Sequence, residues 1–139
     1  MSPRDSGNTR RATINDGRLY LSKAAEFLQA ANDSLALGNR VAAVGNAVHA
    51  GIAAGDAIAA CRAGAVWKGE HSQAAGYLET VGGADGRKAS AQLRRLLPLK
   101  TRAEYDPGPV TDSEARRAVQ AAQRIFAVAE QAVASKIAR

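Results

Sequence analysis

"AAVGNAVHAGIAAGDAIAACRAG", residues 42–64, is the stretch that decides the architecture. It is built almost wholly of small residues and contains no proline. The spacing predicts a helix from about Asn39 to Ala63, with Val41, Val44, Val48, Ile52, Gly55 and Ile58 or Ala59 along one face. Gly45, Gly51 and Gly55 each cost roughly 1 kcal/mol against alanine in a helix interior, so their presence predicts that another backbone approaches closely. Gly51 and Gly55 form a small-xxx-small patch, suited to packing inside the protomer or at a dimer interface. The uncharged run from Val41 to Gly55 is 15 residues long and includes Asn46 and His49. A membrane span requires roughly 18 apolar residues, so a soluble protein with no membrane association is expected.

Outward from this helix the chain continues in helical patterns. Upstream, Asn15 and Asp16 are candidate caps for a helix carrying Leu21, Ala24, Leu28, Ala31 and Leu35 at alternating steps of three and four, with Gly38 as its stop. The two helices are matched in length, as antiparallel neighbours in a bundle are. Residues 1–14 have no apolar core and are expected to be a flexible basic tail, with the helical domain spanning 15–139. Downstream, a short helix is predicted from about Ser72 to Val81, ended by Gly82 and Gly83, and a fourth from near Gly86 with Leu93, Leu96 and Leu97. Pro98 is expected to kink or interrupt it. Pro107 disfavours helix at Asp106, and Thr111 with Glu114 forms a capping box for a last helix whose seam is Ala115, Val119, Ala122, Phe126, Ala129 and Val133. No stretch alternates apolar and polar residues as a half-buried strand does. The expected fold is all-α: an up-and-down four-helix bundle with an additional short helix.

Charge and cysteine usage narrow the function classes. The net charge of +6 is matched by one segment, where Arg87, Lys88, Arg94, Arg95, Lys100 and Arg102 place six cations in sixteen residues with no acid among them. Such a run is the candidate surface for an anionic partner, and Arg87, Lys88, Arg94, Arg95 and Lys100 are the candidate nucleic-acid contacts. No aromatic residues are interleaved to stack bases. Cys61 is the single cysteine and no Cys/His set has zinc spacing, so neither a disulfide nor a metal site is expected and a reducing cytoplasm fits. "VGGADGRKAS", residues 81–90, lacks phosphate-loop spacing and follows a predicted helix rather than a strand. Cys61 and Trp67 read as packing residues. No cofactor is implied.

Two polar groups are candidate sites. Asn46, His49 and Asp56 fall in one narrow angular sector of the second helix, a polar stripe on an apolar rod. Histidine can exchange a proton near neutral pH; the competing interpretation is a buried histidine satisfied by another helix. Arg102, Tyr105 and Asp106 form the second group, in "LLPLKTRAEYDPGPVT", residues 96–111. Arginine can hold a phosphate bidentately and a phenol can donate to it, whereas Asp106 can instead tie up Arg102 in a structural corner.

The order of these pieces resembles the HEPN domain superfamily: two long helices, "NAVHAGIAAGDAI", a short third helix, a basic fourth helix ending "LKTRAEYDPGPV", and a last helix opening "TDSEARRAV". The resemblance runs from about residue 17 to 135. It implies a helical bundle, often a homodimer, in bacteria commonly encoded beside a minimal nucleotidyltransferase or found in toxin-antitoxin and phage-defence systems. Many members of that superfamily are metal-independent ribonucleases with an Arg-x(4–6)-His motif near the end of the penultimate helix. This chain departs from the motif, because Arg102 is followed by "AEYDPGPV" with no histidine. Eight residues separate Arg40 from His49 and Arg62 from His71, again outside the spacing. The resemblance therefore implies a non-catalytic or divergent component that binds a nucleotidyltransferase or antitoxin protein, with RNA or a nucleotide as a further ligand. Two alternatives stand beside it: a divergent ribonuclease using Arg102, Tyr105 and His49 as catalytic residues, and a stand-alone helical interaction scaffold.

Overall fold

Five helices make up nearly all of the computed structural model, which describes residues 7–137. They are α1 (Ile14–Ala36), α2 (Arg40–Ala63), α3 (Ala74–Val81), α4 (Gly83–Tyr105) and α5 (Asp112–Ile137), with a 3-10 turn at His71–Gln73 before α3. The four long helices form the expected all-α bundle, and α3 is the additional short one. In the centre lies α2, packed against α1, α4 and α5. By length and composition α2 could cross a membrane, yet 61% of that apolar window is buried inside the protein, as befits a core helix.

The small residues of α2 are explained by this central position. Ala43, Ala47, Ala50, Ala54 and Ala57 are all fully buried, and larger side chains from the surrounding helices fill the space they leave. Gly51 is the tightest point. A Cβ there would stand 2.6 Å from Leu96 Cδ2 and 3.3 Å from Ile125 Cδ1. What approaches Gly51 is therefore a pair of side chains from α4 and α5 rather than a second backbone, and the patch belongs to the protomer's own core. Gly45 differs: nothing lies within 4 Å of where its Cβ would be.

Several boundaries differ from the sequence-based expectation. The segment expected to be a flexible tail contains a strand, β1 (Thr9–Arg11), paired antiparallel with β2 (Ala65–Trp67) in the register Thr9↔Trp67, Arg10↔Val66, Arg11↔Ala65. Residues 1–6 lie outside the described residues. Three-residue strands are too short to produce an alternating pattern, which is why neither was visible. Thr13, not Asn15 or Asp16, is the N-cap of α1: its Oγ1 accepts from Asp16 N at 3.0 Å, and Asp16 Oδ2 accepts from Thr13 N at 2.8 Å. Helix α4 begins at Gly83 and continues through Pro98 without a break. Pro98 is exposed, so its ring meets solvent and the missing N–H costs a single hydrogen bond.

The α4–α5 connection follows the sequence. Asp106, ahead of Pro107, is extended at φ −84 and ψ 128. The capping box forms as spaced, with Thr111 N donating to Glu114 Oε1 at 2.9 Å and Glu114 N donating to Thr111 Oγ1 at 3.1 Å. Along α5 the seam is Ala115, Ala118, Val119, Ala122, Ile125, Ala129 and Val133; Ile125 takes the deep position and Phe126 is only partly buried.

Candidate functional site

Arg102 sits in the last turn of α4 and is fully engaged. Its Nε donates to Glu114 Oε2 at 3.0 Å, one Nη donates to Asp106 Oδ2 at 3.1 Å, and the other donates to the Pro109 carbonyl at 2.9 Å. Asp106 also accepts from Gly108 N at 2.8 Å, folding the Pro-Gly-Pro turn back on the helix end. Glu114 is held below the usual glutamate range by the Thr111 backbone N–H first, and then by the Thr111 hydroxyl and Arg102. Two carboxylates and a carbonyl therefore satisfy one guanidinium. Tyr105 is 75% exposed and, among the described residues, makes no hydrogen bond with Arg102.

The polar stripe of α2 is divided among three environments. Asn46 lines a groove against α1 with Lys23, Glu26, Phe27 and Ala30. His49 is exposed, not buried against another helix, and its ring lies 5.0 Å from that of Phe27 at an interplanar angle of 31°. No hydrogen bond or ion pair joins His49 to Arg102 or Tyr105 among the described residues. Asp56 is half-buried at the other end of the stripe.

Around Asp56 the structure assembles a site that the spacing did not reveal. Asp56 lines a narrow cleft of about 20 Å³ with Trp67, His71, Tyr77, Ile52 and Leu93, room for about one water. Burial pushes its carboxyl up to about 7, against the opposing influence of the Arg10 guanidinium. His71 is lowered from its ordinary value by burial, then by Lys100 and His49, with Glu104 opposing. Tyr77 is raised by burial and by Asp56; its hydroxyl donates to the Ala65 carbonyl at 2.5 Å. Trp67 and Tyr77 pack at a ring separation of 5.3 Å, and the Trp67 indole donates to Glu70 O at 2.9 Å. Arg10, delivered by β1, is held by the Tyr20 hydroxyl. Asp56 can therefore exchange a proton at neutral pH inside a walled cleft. Tyr77 lies in α3 and His71 in the 3-10 turn before it; tertiary packing alone brings both against Asp56, and spacing along the chain does not encode it. The described residues contain no His/Cys/Asp/Glu group able to hold a metal ion.

The basic run of α4 does not form one face. Seven-residue steps stack Arg87 under Arg94 and Lys88 under Arg95, giving two stripes about a quarter turn apart, with Lys100 on neither. Arg94 is neutralised by Glu79 of α3 at 2.5 Å, and Lys100 faces Glu104 at 3.6 Å. Arg95 opens instead onto a groove between α4 and α5. Cys61 is buried, as a packing residue is, against the N-terminal turn of α1, where a Cβ on Gly17 would stand 2.8 Å from its sulfur.

No curated protein matches the chain. A family model does: the one described as HEPN domain covers residues 18–132, from the second turn of α1 into the last turns of α5. With the bundle, the short third helix and the capped last helix all in place across that span, the chain belongs to the HEPN domain family.

Proposed function

We propose that this HEPN protein acts as a binding component and not as an Arg102-dependent ribonuclease. It is the helical half of a bacterial two-component pair whose other member is a minimal nucleotidyltransferase or an antitoxin protein. The observation that carries this reading is the saturation of Arg102 by Glu114, Asp106 and the Pro109 carbonyl, in a corner with no histidine beside it. A guanidinium with three acceptors already in place has little left to offer a phosphate. Tyr105 stands apart in solvent, and His49 is exposed with its ring against Phe27.

The test pairs two measurements on the full chain. Labelled RNA incubated with purified protein in chelator is expected to stay intact, and the product of a neighbouring gene is expected to co-purify in a stable complex. Cleavage that disappears in a folded Arg102→Ala variant overturns the proposal and restores the divergent ribonuclease. Cleavage that survives Arg102→Ala but disappears in Asp56→Asn or His71→Ala moves catalysis to the cleft. Absence of any complex leaves the stand-alone scaffold.

A further inference from the structure

Three arginines without acidic partners border one groove, and of these only Arg95 belongs to the basic run singled out from the sequence. The groove between α4 and α5 has a volume of about 410 Å³ and is lined by Gln92, Arg95, Leu99, Arg117, Gln120, Ala121 and Arg124. None of these is acidic. Four arginines elsewhere are neutralised, Arg62 by Asp85, Arg94 by Glu79, Arg102 by Glu114 and Asp106, and Arg116 by Asp112. Arg18, Arg40 and Arg87 have no ion pair among the described residues, but they line no such groove with one another. Among the described residues Arg95, Arg117 and Arg124 have no ion pair and no side-chain hydrogen bond. Concentrating three uncompensated cations on one concave surface makes it an anion-seeking surface.

A second observation points to the same groove. Gln92 Oε1 is buried and has no hydrogen-bond partner, the one such side-chain atom among the described residues. Buried polar atoms are nearly always satisfied, so Gln92, which also lines the groove, keeps an acceptor there that no group of the chain uses. Leu99 and Ala121 add an apolar strip among the cations.

We infer that the α4–α5 groove docks an acidic, amphipathic helical segment of a partner protein, with carboxylates on Arg95, Arg117 and Arg124 and an aliphatic side chain on Leu99 and Ala121. Spacing favours protein over nucleic acid. Arg117 and Arg124 stand two turns apart on α5, about 10 Å, the interval at which a helix laid alongside presents residues i and i+7. Guanidinium groups pair carboxylates bidentately, and the two glutamines can take polar groups between them. The lining holds no aromatic ring on which a base can stack. This inference rests on the proposed role as a binding component and assigns that role a surface.

The probe is a synthetic helical peptide carrying glutamates two turns apart with a leucine between them, titrated into the isotopically labelled full chain. Its counterpart with glutamine in place of glutamate and a single-stranded RNA oligomer are titrated in parallel. Saturable shifts confined to Gln92, Arg95, Leu99, Gln120 and Arg124 with the glutamate peptide are expected. Each of Arg117→Gln and Arg124→Gln is expected to weaken binding about tenfold, as loss of one charge-assisted hydrogen bond does, with the helical spectrum unchanged. Equal binding of the glutamine peptide, shifts located elsewhere, or RNA binding at these arginines without peptide binding each overturn the inference. A neighbouring-gene partner that binds wild type and an Arg95/Arg117/Arg124→Gln variant equally overturns it while leaving the two-component role intact. If that partner binds neither, the two-component role fails and the peptide titration alone decides the groove.

Discussion

Arg102 and Glu114 join the last turn of α4 to the first turn of α5, Nε to Oε2 at 3.0 Å, and the same carboxylate closes the Thr111 capping box. One glutamate thus serves both as the helix start and as the anchor of the preceding helix end. Arg102→Ala is expected to lower stability by about 1–2 kcal/mol, read as a lower denaturant midpoint with unchanged slope, because it strands Asp106 and the Pro109 carbonyl together. Arg102→Lys is expected to rescue little of this, since a single ammonium cannot reach the planar set of acceptors that the guanidinium spans.

Asp56 predicts how stability changes with pH. Its folded carboxyl titrates at about 7 against an ordinary value of 3.8, so between those values the folded state binds more protons than the unfolded. Stability from this group is greatest below about pH 4 and declines as pH rises through 7. Asp56→Asn is expected to remove that slope and to gain on the order of 2–4 kcal/mol over wild type at pH 8, seen in thermal melts across pH. A slope unchanged by the substitution contradicts the assignment.

Two glycines of α2 predict opposite outcomes for the same change. Gly51→Ala drives a methyl against Leu96 Cδ2 and is expected to cost about 1–3 kcal/mol. Gly45→Ala meets open space in the same helix and is expected to stabilise by about 0.5–1 kcal/mol. Paired denaturation curves decide the matter, and loss of stability in both variants contradicts it.

Cys61 offers a built-in unfolding probe. It is 5% exposed, and burial raises its thiol above the ordinary range, with Arg62 and Lys136 opposing. Alkylation is expected to be slow in the native protein and to accelerate sharply at the denaturant midpoint. Rapid native labelling contradicts the packing of α1 on α2.

What the sequence disclosed followed from how local the cause was. The capping box at Thr111 and Glu114, the stop at Gly38 and the extended Asp106 each depend on a few adjacent residues, and each stands where its spacing put it. The glycines of α2 announced the close approach of another backbone, whereas at Gly51 side chains of Leu96 and Ile125 fill the gap. The polar stripe gave only an angular sector, and angular position says nothing about what lies beside each level of the helix. Asn46 and Asp56 are separated by ten residues, about 15 Å, so one meets α1 and the other meets Trp67 and Tyr77. The basic run shows the opposite limit: its residues are adjacent in sequence but divided by the helix, while Arg117 and Arg124 join Arg95 only through tertiary packing.

The β1–β2 ribbon acts as a clasp. Helices α1 and α2 are joined by a short turn at residues 37–39 at one end, and Ala12 N donating to Gly64 O with Lys68 N donating to Asn8 O fastens the other. Sliding α1 along α2 by one turn, about 5.4 Å, would pull every ribbon pair out of register. The two helices are therefore fixed like two rails bolted at both ends. A partner that pushes on the α1 surface moves the pair as one body, and a fragment beginning at Ile14 gives up a bolt that the family match, starting four residues later, does not include.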